Sequence, residues 1–239
     1  MLLHLVIVFV ISSFSAFGAE KVVFACNHFP PLKIEKSPEK PGSDVEILRE
    51  VFKDMNINFS YKFLPWKRAL MLASNGEFDG LCSCSYTKKR EEKFYYSDMI
   101  AESSIGIFTK SKKVKISNIG DLKGLTVGVV RGYNLESELK KRKIKSLGLS
   151  SDFNLIQVLN RNRVDVIYSY KSPIKYILKD KKYKNEFFYH ELRVSPYFTC
   201  FSKTRKDSEN LLNRFNKSLK EIKEKGTYQK ILTKYAINE

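Results

Sequence analysis

The sequence predicts an α/β fold that is built from two similar units. Short β-rich runs alternate with segments of helical periodicity, which is typical of proteins with largely parallel sheets. The alternation restarts near Leu125 after a Lys-rich stretch, and the C-terminal end is purely helical. The chain is therefore expected to cross between the units twice, so that the C-terminal helices rejoin a discontinuous first lobe. Two such lobes would enclose a cleft at the carboxyl ends of their strands.

The first unit contains three predicted strands and two predicted helices. Ser43 and Glu46 have the spacing of a capping box, in which both side chains accept hydrogen bonds from free amides at a helix start. Pro65 is predicted to open the second helix, where a missing N–H costs no hydrogen bond. The strands are predicted at Lys21 to Cys26, Ile57 to Phe63 and Phe78 to Cys84.

The second unit repeats this pattern and fixes the predicted boundaries of the lobes. Strands are predicted at Leu125 to Val130 and Val164 to Ser169, and helices after Asn134, at Ser172 to Leu178 and at Asp207 to Lys225. The crossings are placed near Ser103 to Lys113 and Val194 to Lys203, which are β-prone segments that run into turn-like stretches. We expect lobe 1 to span 19–108 and 199–239, and lobe 2 to span 109–198.

The N-terminal segment 1–18 is predicted to be a signal peptide. Leu2 to Phe17 is apolar apart from His4 and three serines, and Ala16-Phe17-Gly18 has the small-x-small pattern that precedes a cleavage site. No Lys or Arg precedes the apolar run, so a retained N-terminal anchor is the alternative. We expect export to the periplasm, with cleavage near Gly18.

The charge of the chain is strongly positive, with a formal net charge of +17 from 43 basic and 26 acidic residues. Such a charge suits nucleic acid, an anionic membrane surface or an acidic ligand. The lysines are spread along the chain, however, which favours solvated helix faces. We therefore predict no nucleic-acid partner. Full disorder is excluded, since 17 Phe and 13 Tyr supply ample apolar surface.

Four cysteines follow the signal segment: Cys26, Cys82, Cys84 and Cys200. Cys82 and Cys84 are too close along an extended segment to bond each other easily. A Cys-x-Cys pair without nearby histidines is a poor zinc site, so we predict no metal site and no cofactor. Buried free thiols are the first expectation. One disulfide that involves Cys26 or Cys200 is the alternative, because the periplasm is oxidising.

An ordered series of short motifs carries a family resemblance. The series resembles the bacterial extracellular solute-binding proteins of family 3, the polar amino-acid-binding components of ABC importers, over nearly the whole chain after the signal segment. The motifs are Phe29-Pro30-Pro31-Leu32, Pro65-Trp66-Lys67-Arg68-Ala69-Leu70, Asn75-Gly76-Glu77-Phe78-Asp79-Gly80, Ser85-Tyr86-Thr87-Lys88-Lys89-Arg90, Leu122-Lys123-Gly124-Leu125, Gly132-Tyr133 and Lys225-Gly226-Thr227-Tyr228.

This resemblance implies a two-lobed periplasmic-binding-protein fold of type II, which closes on a small solute. It further implies a non-catalytic, monomeric protein that hands its solute to the permease subunits of an ABC transporter. The alternatives are a dehydratase-like enzyme on the same fold and a sensing module without an importer. The sequence shows no obvious histidine or carboxylate pair for acid–base chemistry near the implied cleft.

The resemblance also implies which residues contact the solute. Arg90 matches the arginine that grips the ligand carboxylate through a bidentate guanidinium, and Ser85 and Thr87 would add donors, with Ser83 as a further candidate. Gly132 and Tyr133 match a pair whose backbone amides meet the same carboxylate at a helix start.

Two aromatic residues, Phe29 and Trp66, match the positions that hold the apolar part of the ligand. The sequence departs from the family at Tyr170, where amino-acid binders place the acid that holds the ligand ammonium. Burying an unpaired ammonium costs several kcal/mol. Either Glu46 or another acid replaces it, or the solute is not an ordinary α-amino acid.

Overall fold

The computed structural model describes residues 20–179 and 187–237, so the predicted signal peptide at 1–18 lies outside the described residues. Within the described chain, the strands are β1 (Lys21–Cys26), β2 (Asn58–Phe63), β3 (Gly80–Ser85), β4 (Phe94–Thr109), β5 (Val127–Val130), β6 (Ser146–Leu149), β7 (Val166–Tyr170) and β8 (Phe188–Ser202). The α-helices are α1 (Ser43–Asp54), α2 (Trp66–Ser74), α3 (Lys88–Glu91), α4 (Asn134–Lys141), α5 (Asp152–Asn160), α6 (Lys171–Leu178), α7 (Ser208–Glu224) and α8 (Thr227–Lys234). A 3₁₀ turn covers Ile119–Leu122.

The described strands form one mixed sheet in the order β2-β1-β3-β8-β4-β7-β5-β6. Its two ends are parallel, and both are joined through the antiparallel strands β4 and β8 in the middle. The predicted α/β class with two parallel units is therefore confirmed. We call lobe 1 the half with β1–β3, α1–α3, α7 and α8, and lobe 2 the half with β5–β7 and α4–α6.

The two crossings between the lobes are long continuous strands, which begin earlier in the chain than the β-prone segments predicted near Ser103 to Lys113 and Val194 to Lys203 and end in turns as predicted. β4 has 16 residues and β8 has 15, and they pair along most of their length. β4 begins to pair with β7 at Ile105, and β8 pairs with β3 from Tyr197 onwards. The predicted lobe boundaries at 108/109 and 198/199 lie within these shared strands.

Most predicted elements differ from the structure by one to three residues at their ends, but a few differences are larger. The capping box of Ser43 and Glu46 is wrong, because Gly42 is the N-cap of α1 and no side chain caps it. The strand β6 and the helices α3 and α5 were not predicted. β6 is mostly exposed, so its sequence lacks the apolar run that would have marked it.

The cysteines form two disulfides, which corrects the expectation of buried free thiols. Cys26 of β1 is bonded to Cys82 of β3, with Cα atoms 5.1 Å apart. Cys84 of β3 is bonded to Cys200 of β8, with Cα atoms 6.2 Å apart. Because β3 lies between β1 and β8, each of its cysteines reaches a different neighbouring strand.

The hydrophobic core is built on both faces of the sheet. In lobe 1 an aromatic cluster packs under α1 and α7, with Phe52 stacked on Phe59 at 5.0 Å between ring centroids and Phe201 against Phe215 at 5.1 Å. In lobe 2 the apolar face of α5 buries Leu155 and Ile156 against the sheet. None of the helices in the described ranges is both long and apolar enough to cross a membrane.

Candidate functional site

A cavity of about 40 Å³ lies between the two lobes, where the loops after the strands meet. Both lobes line it, together with Ser103 and Tyr197 of the two shared strands. Six of the eight residues that the sequence proposed for the site line this cavity. They are Phe29, Trp66, Ser85 and Arg90 from lobe 1 and Tyr133 and Tyr170 from lobe 2.

Arg90 is buried at the lobe interface, with 8% of its surface exposed. Its Nη1 donates to the carbonyl oxygen of Ser85 at 2.8 Å, and its Nη2 donates across the cleft to that of Gly132 at 2.9 Å. The guanidinium also lies 5.0 Å from the centroid of the Trp66 ring, within the range of a cation–π contact. No carboxylate among the described residues forms an ion pair with it.

Burial lowers the pKa of the Arg90 guanidinium, while Tyr170, Tyr96 and Tyr133 act in the opposite direction. A buried cation that has only neutral partners carries an uncompensated desolvation cost. An anion that entered the cavity would offset this cost and would gain charge-assisted hydrogen bonds.

The other two predicted residues, Thr87 and Gly132, lie behind the cavity wall. Thr87 is the N-cap of α3, and its Oγ1 accepts a hydrogen bond from the Arg90 amide at 3.1 Å. The Gly132 carbonyl accepts a second bond, from Trp66 Nε1 at 2.8 Å. Gly132 has a φ of +80°, a backbone conformation that glycine adopts without strain.

The amides of Gly132 and Tyr133 have acceptors within lobe 2. The Gly132 amide donates to Glu136 Oε2 at 2.7 Å, and the Tyr133 amide donates to the Val130 carbonyl at 3.2 Å. Their predicted role as donors to a ligand carboxylate therefore requires that these contacts exchange on binding, and it stays a prediction.

The aromatic side chains form an edge-to-face cluster around the cavity. The rings of Phe29 and Tyr170 have centroids 5.4 Å apart, and so do those of Tyr133 and Tyr170. Trp66 contacts Tyr133 edge-on, at 6.1 Å. Since aromatic pairs favour tilted geometries, the cluster is a stable wall for the apolar part of a ligand.

Tyr170 bridges the two lobes at the position where the family resemblance expects an acid. Its hydroxyl lies 2.6 Å from Ser85 Oγ and donates to Asn134 Oδ1 at 2.7 Å. Burial raises the pKa of this phenol, so it stays neutral. Glu46 does not replace the missing acid, because it accepts hydrogen bonds from Lys234 and Tyr235 outside the cleft.

A buried ion pair of Lys33 and Asp44 adjoins the cavity and was not predicted. Lys33 Nζ lies 3.7 Å from Asp44 Oδ2, and both side chains are at most 5% exposed. Lys33 Nζ also donates to Ser83 Oγ and lies 4.9 Å from the centroid of the Phe29 ring. Tyr197 donates to Asp44 Oδ1 at 2.9 Å. Lys33 lines the cavity, whereas Asp44 stands behind it.

Burial shifts the pKa values of both members of this pair. Desolvation lowers the pKa of Lys33 and raises that of Asp44, and in each case the attraction of the partner opposes the shift. Lys33 reaches the cleft because two backbone hydrogen bonds, of 2.8 and 2.9 Å, close a tight loop between Phe29 and Lys33. The sequence feature that could have predicted this buried lysine is its position between the apolar residues Leu32 and Ile34.

A second buried carboxylate, Asp152 at the start of α5, supports the lobe 2 wall. Its Oδ2 accepts from the Tyr133 hydroxyl at 2.8 Å, and its Oδ1 accepts from Ser169 Oγ at 2.6 Å. Burial raises the pKa of Asp152 to about 6, which the two hydroxyl donors and the more distant Lys33 partly oppose. The lobe 2 acid therefore holds Tyr133 in place without facing the cavity.

The family model for bacterial extracellular solute-binding proteins, family 3, matches residues 22–238. The chain belongs to this family. The predicted family is thus confirmed over nearly the whole described chain, including all the residues around the cavity.

Individual relatives and structures agree with this assignment. The chain is 29% identical over 196 residues to the L-cystine-binding protein TcyA of Bacillus subtilis (strain 168), and the aligned region covers 81% of this chain and 72% of the relative. It is 26% identical to the arginine-binding periplasmic protein of Mannheimia haemolytica, with 91% of each chain covered. The structure of a histidine kinase sensor domain with similarity to periplasmic binding proteins superposes with a TM-score of 0.83, at 19% identity and over 91% of this chain and 96% of the other. This likeness confirms the two-lobed fold.

Proposed function

We propose that this family member is an exported, non-catalytic binding protein that captures a small carboxylate-bearing solute between its lobes for an ABC importer. The observation that carries the proposal is Arg90, a buried guanidinium that lines the interlobe cavity and is paired only with neutral groups in the described structure. A carboxylate matches its two outer donors bidentately.

The contacts across the cleft support a clamp that closes on its solute. Arg90 and Trp66 of lobe 1 both donate to the Gly132 carbonyl of lobe 2, and Ser85 is hydrogen-bonded to Tyr170. These few polar contacts hold the lobes together in this structure. A solute that bridges the same groups would stabilise the closed form in proportion to its higher affinity for that form.

The surroundings of the cavity support binding rather than catalysis. General acid–base chemistry most often uses a histidine or a carboxylate that faces the substrate, and the titratable groups among the described residues that line the cavity are instead Arg90, Lys33 and tyrosines. The names of the relatives, which bind L-cystine and arginine, support a solute of about amino-acid size. Membership in a family of extracellular proteins supports export and a periplasmic site of action.

A thermal-shift screen of amino acids, organic acids and aromatic compounds would find the solute. A ligand at a hundred times its Kd adds roughly 2.7 kcal/mol of stability. Calorimetry with that solute then tests Arg90. Arg90→Ala is expected to lose about 2–5 kcal/mol of binding free energy, because a buried carboxylate is left unpaired.

The matched control is Arg68→Ala, which removes an exposed arginine from the nearby helix α2. This variant should bind the solute like the wild-type protein. Unchanged affinity of Arg90→Ala would contradict the proposed function.

A further inference from the structure

The two charged side chains that line the cavity are both cations. They are Arg90 and Lys33, and the other lining residues of the described chain are neutral. The buried acids Asp44 and Asp152 lie behind the cavity wall. Asp44 contacts Tyr197 and Lys33. Asp152 accepts hydrogen bonds from Tyr133 and Ser169. The solute therefore meets two cations on the lobe 1 wall and meets no carboxylate among the described lining residues.

Lys33 has a donor to spare. An ammonium carries three N–H donors, and within the described residues Ser83 Oγ accepts one of them. Asp44 Oδ2, at 3.7 Å, takes at most one more and lies beyond normal hydrogen-bond length. Asp44 Oδ2 itself receives no hydrogen bond in the described structure. The pair is thus loosely made, and Lys33 can turn a donor to the cavity without losing its neutralising partner.

We propose that Lys33 is a second ligand-binding cation, and that the site selects short solutes with two acidic groups and no ammonium group. This inference rests on the proposed function, in which Arg90 holds the first carboxylate. Lys33 would hold the second acidic group, and the aromatic cluster of Phe29, Tyr133 and Tyr170 would pack against the carbon chain between them.

Both cations are held close together on lobe 1. Lys33 Nζ donates to the side-chain hydroxyl of Ser83, and Arg90 Nη1 donates to the backbone carbonyl of Ser85, two residues further along β3. Because both cations line the same cavity, two acidic groups joined by a short carbon chain can contact both of them at once.

A zwitterionic amino acid fits this charge pattern poorly. Its carboxylate would pair with Arg90, but its ammonium would face Tyr170, Ser85 and the like charge of Lys33. An ammonium that is buried without an acid costs several kcal/mol. A dicarboxylate would instead pair one carboxylate with Arg90 and accept a charge-assisted hydrogen bond from Lys33 Nζ with the other.

The test uses three probes with the same five-carbon skeleton. Glutarate has two carboxylates and no ammonium, L-glutamate adds the ammonium, and L-glutamine has one carboxylate and an ammonium. We expect glutarate, or its shorter homologue succinate, to bind most tightly and L-glutamine most weakly, in calorimetry on the full mature protein. Tighter binding of L-glutamine than of both dicarboxylates overturns the proposal, and so does the absence of any response to the dicarboxylates at millimolar concentration.

Variants assign the effect to Lys33. Lys33→Gln leaves Asp44 unpaired and can impair folding, so the double variant Lys33→Gln/Asp44→Asn removes both charges at once. We expect this folded variant to bind the dicarboxylate about 10- to 100-fold more weakly, as for the loss of one charged hydrogen bond. Lys67→Gln, which removes an exposed cation at the rim of the cleft, should change the affinity little.

The outcomes separate the two proposals. If Arg90→Ala loses binding while the double variant keeps full affinity for the dicarboxylate, the role of Lys33 is refuted and the proposed function stands. If Arg90→Ala also binds every carboxylic acid like the wild-type protein, the proposed function fails with it.

Discussion

The two lobes face the same cavity but bring different chemistry to it. Lobe 1 contributes the cations Arg90 and Lys33 on a frame that is cross-linked by two disulfides, and all four cysteines of the chain take part in them. Lobe 2 contributes the neutral side chains of Tyr133, Asn134 and Tyr170. One wall thus carries fixed positive charge, and the other offers neutral donors and acceptors.

The buried acid behind each wall explains this difference. Asp44 of lobe 1 stands beside Lys33, so its charge is compensated by a cation. Asp152 of lobe 2 is held only by the hydroxyls of Tyr133 and Ser169. Hydroxyl donors stabilise a buried carboxylate less than a nearby cation does, and burial raises the pKa of Asp152 to about 6, so the charge of the lobe 2 acid changes near that pH. Three experiments would test this contrast.

The largest effect is expected from the disulfides of lobe 1. Cys84 and Cys200 are 116 residues apart, and in the chain-entropy model such a link contributes up to about 5 kcal/mol to the free energy of unfolding. The double variant Cys84→Ala/Cys200→Ala should lose most of this amount in urea unfolding. The same protein should respond to a reductant less than the wild-type protein does, because only the Cys26–Cys82 bond remains. Equal stability of variant and wild type would show that lobe 1 does not depend on this cross-link.

The next effect concerns the acid of lobe 2. The pKa of Asp152 is raised by burial to about 6, so the folded protein favours the protonated form. Ionisation therefore lowers stability by about 3 kcal/mol above pH 6, and this cost disappears as the pH falls towards about 4. Asp152→Asn removes the titration. The difference in free energy of unfolding, Asp152→Asn minus wild type, should therefore be about 2 kcal/mol larger at pH 8 than at pH 4.5, which means that the variant gains stability relative to wild type as the pH rises.

The matched control for this pH dependence is Ser169→Ala. It removes one hydrogen-bond donor to Asp152 but keeps the carboxylate, so the pH dependence should persist. Urea unfolding at both pH values measures each variant. If the difference in free energy of unfolding between Asp152→Asn and wild type is the same at both pH values, the proposed titration of Asp152 is contradicted.

The smallest effect is expected where the lobes meet. Tyr170→Phe removes the hydroxyl that joins Ser85 of lobe 1 to Asn134 of lobe 2. The closed form should lose about 1 kcal/mol, or about fivefold in affinity for the solute found in the screen. Tyr168→Phe is the control, since the Tyr168 hydroxyl bonds Glu138 and Arg193 away from the cavity. Equal affinities of the two variants would show that the Tyr170 bridge does not favour closure.

The sequence was most informative where residues follow predicted strands. Phe29 lies three residues after β1, and Arg90 lies five residues after β3, within the short helix α3. The family resemblance placed these residues at a common cleft before any coordinates, and this agrees with the rule that ligands bind at the carboxyl ends of the strands. The suggestion that Glu46 replaces the missing acid was wrong, since a position on the first turn of α1 does not reveal which way the side chain points.

The sequence by itself determined the α/β class, the two units and the family, because periodicity and the order of motifs are properties of the chain alone. Only the tertiary structure decided that Lys33 reaches Ser83, that Asp44 receives the hydroxyl of Tyr197, and that β3 bonds to both of its neighbours. These partners are 50 to 153 residues apart along the chain. Their contact depends on the order of strands in the sheet, which no local pattern of residues encodes.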